Sequence, residues 1–150
     1  MEIRQAKIAE RLVIAGFQIA MAAETENLEL DKATVGKGVT SVFEDQSKGR
    51  YFVAESNGKV IGSLLVTYEW SDWRNGNIWW IQSVYIKPEY RRKGVYTKMY
   101  QHIKSIVEND ESLQGIRLYV EKTNTVAQAV YKNLGMNGNH YSTFEWMKNF

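Results

Sequence analysis

Two hydrophobic periods alternate along the chain, and each change of period predicts a change of secondary structure. After a short strand at the N-terminus, apolar residues recur at three- and four-residue steps, which predicts an amphipathic helix. These positions are Ile8, Leu12, Ala15, Ile19 and Ala22. A second helix is predicted from Asp31 to Asp45, where three valines and Phe43 share one face, although two glycines lower its helical propensity.

From residue 51 the pattern becomes that of extended strands. Asn-Gly dipeptides at 57–58 and 75–76 adopt positive φ angles readily, so both predict tight turns. They divide this segment into three antiparallel strands, at roughly 51–56, 59–70 and 77–87. Pro88 ends the last strand because proline cannot donate a hydrogen bond to the ladder.

Helices and strands alternate in the rest of the chain. A helix is predicted from Gly94 to about residue 109, and the next strand is "GIRLYV". Asn124 can cap a further helix, and Gly135 lies where a left-handed residue would end it. The aromatic segment "HYSTFEWMKN" predicts a final strand at 140–149.

The predicted order is β-α-α-β-β-β-α-β-α-β, which indicates a single α+β domain over residues 1–150. The helix after Gly94 crosses over between the 77–87 strand and the strand at about 116–121, so those two strands should be parallel. Ligands of such sheets bind at the carboxyl ends of parallel strands, which is where residues 91–94 lie.

Composition excludes several classes of function. Lys and Arg total 19 against 17 Asp and Glu, so the chain lacks the overall charge of a general nucleic-acid binder. With no cysteine and two histidines, neither a disulfide nor a metal site is expected. No stretch resembles the ~20 apolar residues of a membrane span. A cytoplasmic protein with neither a nucleic-acid nor a membrane partner is therefore predicted.

The segment "YRRKGVY" places Arg91, Arg92 and Lys93 directly before Gly94. A helix begins at that glycine, so its first N–H groups lack partners within the helix and, together with the helix dipole, attract an anion. Gly94 allows a phosphate to approach the backbone closely, and this geometry suits a diphosphate. A solvated basic turn and a nucleic-acid patch are the alternatives, and the near-neutral overall charge argues against the second.

Two longer segments carry a resemblance to a known family. "VYIKPEYRRKGVYTKMY" and "LYVEKTNTVAQAVYKNLGM" resemble the GNAT superfamily of acyl-coenzyme A-dependent N-acetyltransferases, and the resemblance spans residues 51–136. The superfamily's phosphate signature falls on Arg91, Gly94 and Tyr96, where Tyr96 departs from the usual small residue. The resemblance implies a mixed, mostly antiparallel sheet of six to seven strands with about four helices. It also implies acetyl-CoA as cosubstrate, with no metal.

The resemblance further implies which residues bind coenzyme A. Backbone amides of 92–96 would hold the diphosphate, residues 84–86 would pair with the pantetheine arm as an extra strand, and Asn124 would contact that arm. The predicted cofactor-binding residues are Val84, Tyr85, Ile86, Arg91, Arg92, Lys93, Gly94, Val95, Tyr96 and Asn124.

The resemblance places Tyr131 near the thioester sulfur as general acid, since a phenol of pKa ~10 can donate to a thiolate of pKa ~8.5. Packing against the sheet is the alternative role. An amine acceptor arrives as ammonium, so a base must remove a proton before the attack. Glu69 is the first choice for that base, and a water relay is the alternative.

Acidic and aromatic residues are candidates for binding the acceptor. Glu24 and Glu26 follow the first helix and could bind a cationic amine, and Trp70 and Trp73 could stack on it. A solvated acidic turn and core packing are the alternatives.

The predicted function is transfer of acetyl from acetyl-CoA to a primary amine of a small molecule, by direct attack in a ternary complex. A coenzyme A-binding module without turnover and a protein-lysine or N-terminal acetyltransferase are the alternatives. The C-terminal aromatic strand could also pair with a second copy to form a homodimer.

Overall fold

The computed structural model describes residues 1–149, which fall into two compact units, Met1–Arg117 and the residues from Leu118 onward. The helices are α1 (Arg11–Glu26), α2 (Lys32–Glu44), α3 (Val95–Glu108) and α4 (Thr125–Asn133). The strands are β1 (Glu2–Gln5), β2 (Arg50–Ser56), β3 (Lys59–Ser71), β4 (Gly76–Ile86) and β5 (Leu113–Leu118). The α+β class and the four helices are confirmed, but residues 1–149 contain five strands rather than six to seven.

The strands form one sheet in the order β1-β2-β3-β4-β5. Strands β1 to β4 pair antiparallel with their neighbours in sequence. At the β4–β5 boundary, the N–H of Asn77 donates to the carbonyl oxygen of Ser112 at 2.9 Å, and Ile78 lies against Gly115. In these contacts the residue numbers increase in the same direction along β4 and β5, which indicates that the two strands are parallel. The sheet is therefore mixed, as predicted.

Helices of the first unit cover both faces of this sheet. One face packs against α1 and α2 in a buried cluster of Ile14, Ala15, Val39, Val42, Tyr51 and Val53. Alternation along β2 sends Phe52 to the opposite face, where its ring lies near Trp79 of β4 and His102 of α3. The first face is therefore the α1/α2 face and the second is the α3 face.

The N-terminal helix is shifted relative to its prediction. Residues Ile8–Glu10 form a 3-10 turn and α1 begins only at Arg11, which leaves Ile8 and Leu12 53% and 71% exposed. A 3-10 turn has about three residues per turn, so Ile8 falls out of phase with the helix that follows. The buried stripe of α1 is instead Ile14, Ala15, Phe17, Gln18 and Ala22.

One of the two predicted turns is tight and the other is longer. Asn57 and Gly58 have φ angles of 50° and 74°, as a two-residue turn requires. Ser71 pairs with Gly76, so residues 72–75 form a loop between β3 and β4 in which Asn75 is left-handed. The Asn-Gly signal located this hairpin correctly but gave the wrong loop length.

The predicted final strand does not form. Residues 140–149 have no regular secondary structure, and Tyr141, Phe144 and Trp146 are exposed. An alternating pattern shows that a segment is able to pair, but it does not supply the sheet edge that pairing requires. The preceding strand does form, displaced toward the N-terminus at Leu113–Leu118.

In the second unit, α4 begins and ends where its sequence signals predict. The side chain of Asn124 accepts the N–H of Ala127 at 3.0 Å, and Gly135 has a φ of 88° just beyond the helix. Across residues 1–149, every helix is too short or too polar to cross a bilayer. The same residues contain no cluster of three or more His, Cys, Asp or Glu side chains that could hold a metal.

Candidate active site

The loop between β4 and α3 has the backbone geometry of an anion site. After the 3-10 turn Pro88–Tyr90, Arg92 and Gly94 have φ angles of 61° and 77°. Left-handed residues of this kind turn successive backbone N–H groups into a concave nest, which binds anions. Helix α3 begins at Val95 and adds the N–H groups of its first turn, which have no acceptors within the helix.

The space beside Gly94 is open. A Cβ placed on Gly94 would meet no heavy atom within 4 Å. The side chains of Arg92 and Lys93 are exposed, and the Lys93 ammonium lies 5.8 Å from the ring centroid of Tyr90. The loop therefore combines backbone donors, mobile positive charge and room for a phosphate, which is the donor set that a diphosphate requires.

Tyr96 occupies the position where the superfamily signature has a small residue. Its ring is half-buried, and its centroid lies 6.5 Å from that of Tyr100, one turn further along α3. The bulk of the side chain is thus accommodated along the helix.

Strand β4 contains a bulge that the sequence did not reveal. The pairing register with β3 slips by one residue, so that Ser83 and Val84 together lie opposite Leu64. Ser83 has a φ of 54°, a left-handed conformation that costs a non-glycine residue roughly 1–2 kcal/mol. A bulge interrupts the ladder and leaves its extra residue unpaired, so backbone groups near Val84 are available as donors or acceptors.

The end of β4 extends past its parallel neighbour. Ile78 lies against Gly115, and β5 ends three residues later, at Leu118. The end of β5 is therefore opposite about residue 81 of β4, while β4 continues to Ile86. This extension contains the bulge and the three residues that the resemblance pairs with a pantetheine arm.

Arg91 makes three contacts with two elements of the first unit, β4 and α1. Its Nε donates to the carbonyl oxygen of Ile86 at 2.8 Å, at the end of β4. Its Nη2 pairs with Oε2 of Glu24 at 2.8 Å, near the end of α1. Its guanidinium carbon lies 5.3 Å from the ring centroid of Tyr85. The structure thus brings together Arg91, predicted to bind coenzyme A, and Glu24, predicted to bind the amine.

Tyr85 completes this cluster. Its ring stacks on Phe17 of α1 with a centroid distance of 5.0 Å, and its hydroxyl donates to Oε1 of Glu24 at 3.3 Å. Burial, followed by the negative charge of Glu24, raises the pKa of Tyr85. The phenol therefore stays protonated and remains a donor at neutral pH.

Both carboxylate oxygens of Glu69 have partners. Oε1 accepts the indole N–H of Trp80 at 2.8 Å, and Oε2 pairs with Nη1 of Arg117 at 2.7 Å. The hydrogen bond from Trp80 and then that from Arg117 lower the pKa of Glu69, so its carboxylate is ionised at neutral pH and is a weaker base than usual. Neither partner was predicted, because both depend on the strand register.

Glu69 lies away from the bulge. It pairs with Ile78, and Val84 is six residues further along β4, which corresponds to about 20 Å of strand. Its role as general base stays a prediction, and this spacing means that any proton it receives from an amine near Val84 must travel through water.

A family model described as "Acetyltransferase (GNAT) family" matches residues 20–136, more than half of the chain. The chain belongs to the GNAT family of acetyltransferases. The match includes Glu24, the bulge in β4, the basic loop and α4.

Solved structures agree with this assignment. A protein of Clostridium difficile 630, described as a possible acetyltransferase, is 46% identical with a TM-score of 0.91, over 97% of this chain and 96% of that one. A predicted acetyltransferase with acetyl-CoA, from Clostridium acetobutylicum, has a TM-score of 0.75 over 96% of this chain and 95% of that one. At 16% identity, the second structure shows a shared fold alone.

Curated relatives match a shorter stretch. The thialysine N-epsilon-acetyltransferase of Bos taurus is 33% identical over 76 residues, which are 51% of this chain and 44% of that protein. The enzyme of the same name from Sus scrofa is 32% identical over the same length. The match thus spans less than half the length of these relatives.

The second unit of this GNAT protein carries the other two residues that the resemblance singled out. The side-chain oxygen of Asn124 caps α4, as described above. Tyr131 is half-buried on α4, and burial raises its pKa, which keeps the phenol protonated. Their roles toward coenzyme A and the thioester stay predictions.

The remaining predicted acceptor residues lie on exposed parts of the first unit. Trp70 and Trp73, at the β3–β4 loop, are 61% and 89% exposed, whereas Trp79 is buried in the core. Glu26 is exposed in the last turn of α1. Exposure leaves these three side chains accessible to a ligand, and their role in binding an amine stays a prediction.

Proposed function

We propose that this GNAT acetyltransferase transfers the acetyl group of acetyl-CoA to a primary amine of a small molecule, by direct attack in a ternary complex. The observation that carries the proposal is the left-handed loop at Arg92 and Gly94, which joins the bulged end of β4 to the start of α3. Backbone donors and a strand edge then lie next to each other, which suits a ligand with a diphosphate at one end and an amide-bearing arm at the other.

Coenzyme A fits this combination. The N–H groups of the loop and of the first turn of α3 would bind its diphosphate, with Arg92 and Lys93 supplying additional charge. Residues 84–86 would hydrogen-bond the pantetheine arm along the strand edge. The structure from Clostridium acetobutylicum, which has the same fold, was solved with acetyl-CoA.

The thioester supplies the activated acyl group. An N–H of the bulge near Val84 would donate to the carbonyl oxygen as negative charge develops on it. As the amine nitrogen bonds to the carbonyl carbon, the carbon–sulfur bond breaks, and Tyr131 would donate a hydrogen bond to the departing sulfur. The ammonium would lose its first proton through water before the attack, with Glu69 as the predicted acceptor, and the second proton that the nitrogen loses as the amide forms would balance the charge of the departing thiolate.

A small cationic amine is the acceptor that the exposed side chains favour. Glu26 provides negative charge, and Trp70 and Trp73 provide aromatic faces at a loop of the same unit. The curated relatives are named for acetylation of the ε-nitrogen of thialysine, a primary amine on a small molecule. We therefore place lysine-like diamines first among the acceptors.

The test measures release of free thiol from acetyl-CoA with a panel of small amines, lysine analogues and a lysine-containing peptide. The expected result is saturable thiol release with one or more small amines, reduced in Tyr131→Phe and in Glu69→Gln. Binding of acetyl-CoA without thiol release across the panel would instead support a binding module. Turnover of the peptide alone would support a protein-lysine acetyltransferase.

Coenzyme A binding is measured separately by calorimetry. Failure of the wild-type protein to bind coenzyme A would overturn the proposed function altogether.

A further inference from the structure

We propose that Glu24 is a positioning residue for the diphosphate loop, acting through Arg91, and that its carboxylate does not bind the acceptor amine. This inference rests on the proposed function, because it takes coenzyme A as the ligand of the loop. It assigns to the end of α1 a part in binding the cosubstrate.

The contacts of Arg91 connect the loop to two other elements. Its Nε–H fixes it to the carbonyl oxygen of Ile86, and its Nη2 pairs with Glu24 at 2.8 Å. The Tyr85 ring lies under the guanidinium, and the same tyrosine donates its hydroxyl to Glu24. A planar guanidinium with an anchored Nε, an anchored Nη2 and a stacked face has little freedom to rotate.

The loop needs such a restraint because its backbone is strained. Arg92 follows Arg91 directly and has a φ of 61°, a conformation that costs a side-chain-bearing residue roughly 1–2 kcal/mol. Conformations of this kind persist only where the surroundings hold them in place. Arg91 is the residue next to the strained one, and its side chain supplies the contacts to the rest of the unit.

The carboxylate of Glu24 is already engaged. Oε1 accepts from Tyr85 and Oε2 pairs with Arg91, so the guanidinium already compensates the negative charge that would attract an ammonium. Glu26 is two positions further along α1, and residues two apart point to different sides of a helix. The two glutamates therefore do not act as one acidic patch, and Glu26 is the better candidate of the two for a cationic ligand.

A purely electrostatic role and a positioning role of Glu24 predict opposite effects of Glu24→Gln on the affinity for coenzyme A. Removing a negative charge near a diphosphate would, on electrostatic grounds alone, tighten coenzyme A binding. If Glu24 instead holds Arg91 in place, the loop loses order and binding weakens. The pair is about 40% exposed, so the expected weakening is modest, about three- to fivefold in Kd.

The experiment measures the Kd of coenzyme A by calorimetry, together with kcat and the KM of the best amine. The variants are Glu24→Gln, Arg91→Lys and the double variant, and Glu29→Gln is the control, because it removes the same charge from an exposed residue nearby. Arg91→Lys keeps the positive charge but loses the Nε–H donor to Ile86. We expect weaker coenzyme A binding in both single variants, an unchanged KM for the amine, and a double variant no weaker than the worse single one.

Three results would overturn the inference while leaving the proposed function intact. They are an unchanged or tighter Kd in Glu24→Gln, a raised KM for the amine with an unchanged Kd for coenzyme A, and additive effects in the double variant. Failure of the wild-type protein to bind coenzyme A would instead overturn the proposed function.

A further variant applies if Glu24→Gln does not fold. Tyr85→Phe removes the hydrogen bond to Glu24 but keeps the ring under the guanidinium. It should weaken coenzyme A binding in the same direction, and wild-type affinity in that variant would count against the inference.

Discussion

The carboxylate of Glu69 accepts the indole N–H of Trp80 at 2.8 Å from a diagonal position on the neighbouring strand. Glu69 pairs with Ile78 and Thr67 pairs with Trp80, so both side chains project from the same face of the β3–β4 ladder. Arg117 of β5 approaches the same carboxylate, so one glutamate links three strands. The cluster lies toward the opposite end of β4 from the basic loop at residues 91–94.

Glu69→Gln should therefore destabilise the fold in a pH-dependent way. The folded pKa of Glu69 lies below its ordinary value of 4.5, so the ionised carboxylate stabilises the fold above that value, and this contribution disappears as the pH falls through the folded pKa. We expect a loss of about 1 kcal/mol in the free energy of unfolding at neutral pH. The difference from wild type should narrow as the pH falls below 4.5, as urea denaturation at neutral and at acidic pH would measure. A difference in the free energy of unfolding that stayed constant with pH would contradict a role for the ionised carboxylate.

Gly94→Ala should weaken coenzyme A binding more than it destabilises the protein. A Cβ at φ 77° strains the backbone by about 1 kcal/mol and occupies the open space beside the loop. Gly58→Ala is a matched control, because Gly58 has a φ of 74°, has equally open surroundings and lies in the β2–β3 turn. The two variants should lose similar stability in thermal unfolding. Calorimetry should show at least tenfold weaker coenzyme A binding in Gly94→Ala alone, about 1.4 kcal/mol.

Tyr131→Phe should slow thiol release without weakening coenzyme A binding. General acid catalysis contributes roughly 10²-fold or more to a rate, and phenylalanine removes the donor while keeping the ring. Burial raises the pKa of Tyr131 above its ordinary value of 10.0, so the wild-type rate should not fall through ionisation of this phenol until the pH exceeds that value. Tyr141→Phe, at a 78% exposed tyrosine, is the comparison. Equal rates in the two variants would assign Tyr131 a packing role.

Trp73→Ala should raise the KM of a cationic amine several-fold at little cost in stability. The side chain is 89% exposed, so its removal should change the free energy of unfolding by less than about 0.5 kcal/mol, whereas an aromatic face over a cation is worth about 0.5–1 kcal/mol. Trp146→Ala removes an equally exposed indole from the C-terminal segment and should leave the KM unchanged. An identical KM in both variants would remove Trp73 from the acceptor site.

Local signals in the sequence predicted the elements that depend on local chemistry. The cap at Asn124, the turn at Asn57 and the glycine before α3 each involve a few neighbouring residues, and all three form as expected. The basic loop was predicted for the same reason, because an anion site at a helix start needs only adjacent residues.

Features that depend on partners distant in sequence were missed. The contacts of Glu69 with Trp80 and Arg117 require the register of three strands, and no glycine signals the left-handed Ser83. The C-terminal segment has the alternation of a strand, but whether it pairs depends on a free edge elsewhere. The contact between Glu24 and Arg91 spans 67 positions and joins residues that had been assigned to different ligands.

The extra residue at the bulge determines which side of the sheet Tyr85 faces. Gln82, before the bulge, pairs with Leu65, and Tyr85, after it, pairs with Ser63. Leu65 and Ser63 lie on the same face of β3, so Gln82 and Tyr85 also share a face although they are three positions apart. An uninterrupted β4 would point the Tyr85 ring toward α3, away from Phe17 and Glu24. Deleting one residue at the bulge would therefore move every later side chain of β4 to the opposite face of the sheet and separate Tyr85 from Glu24.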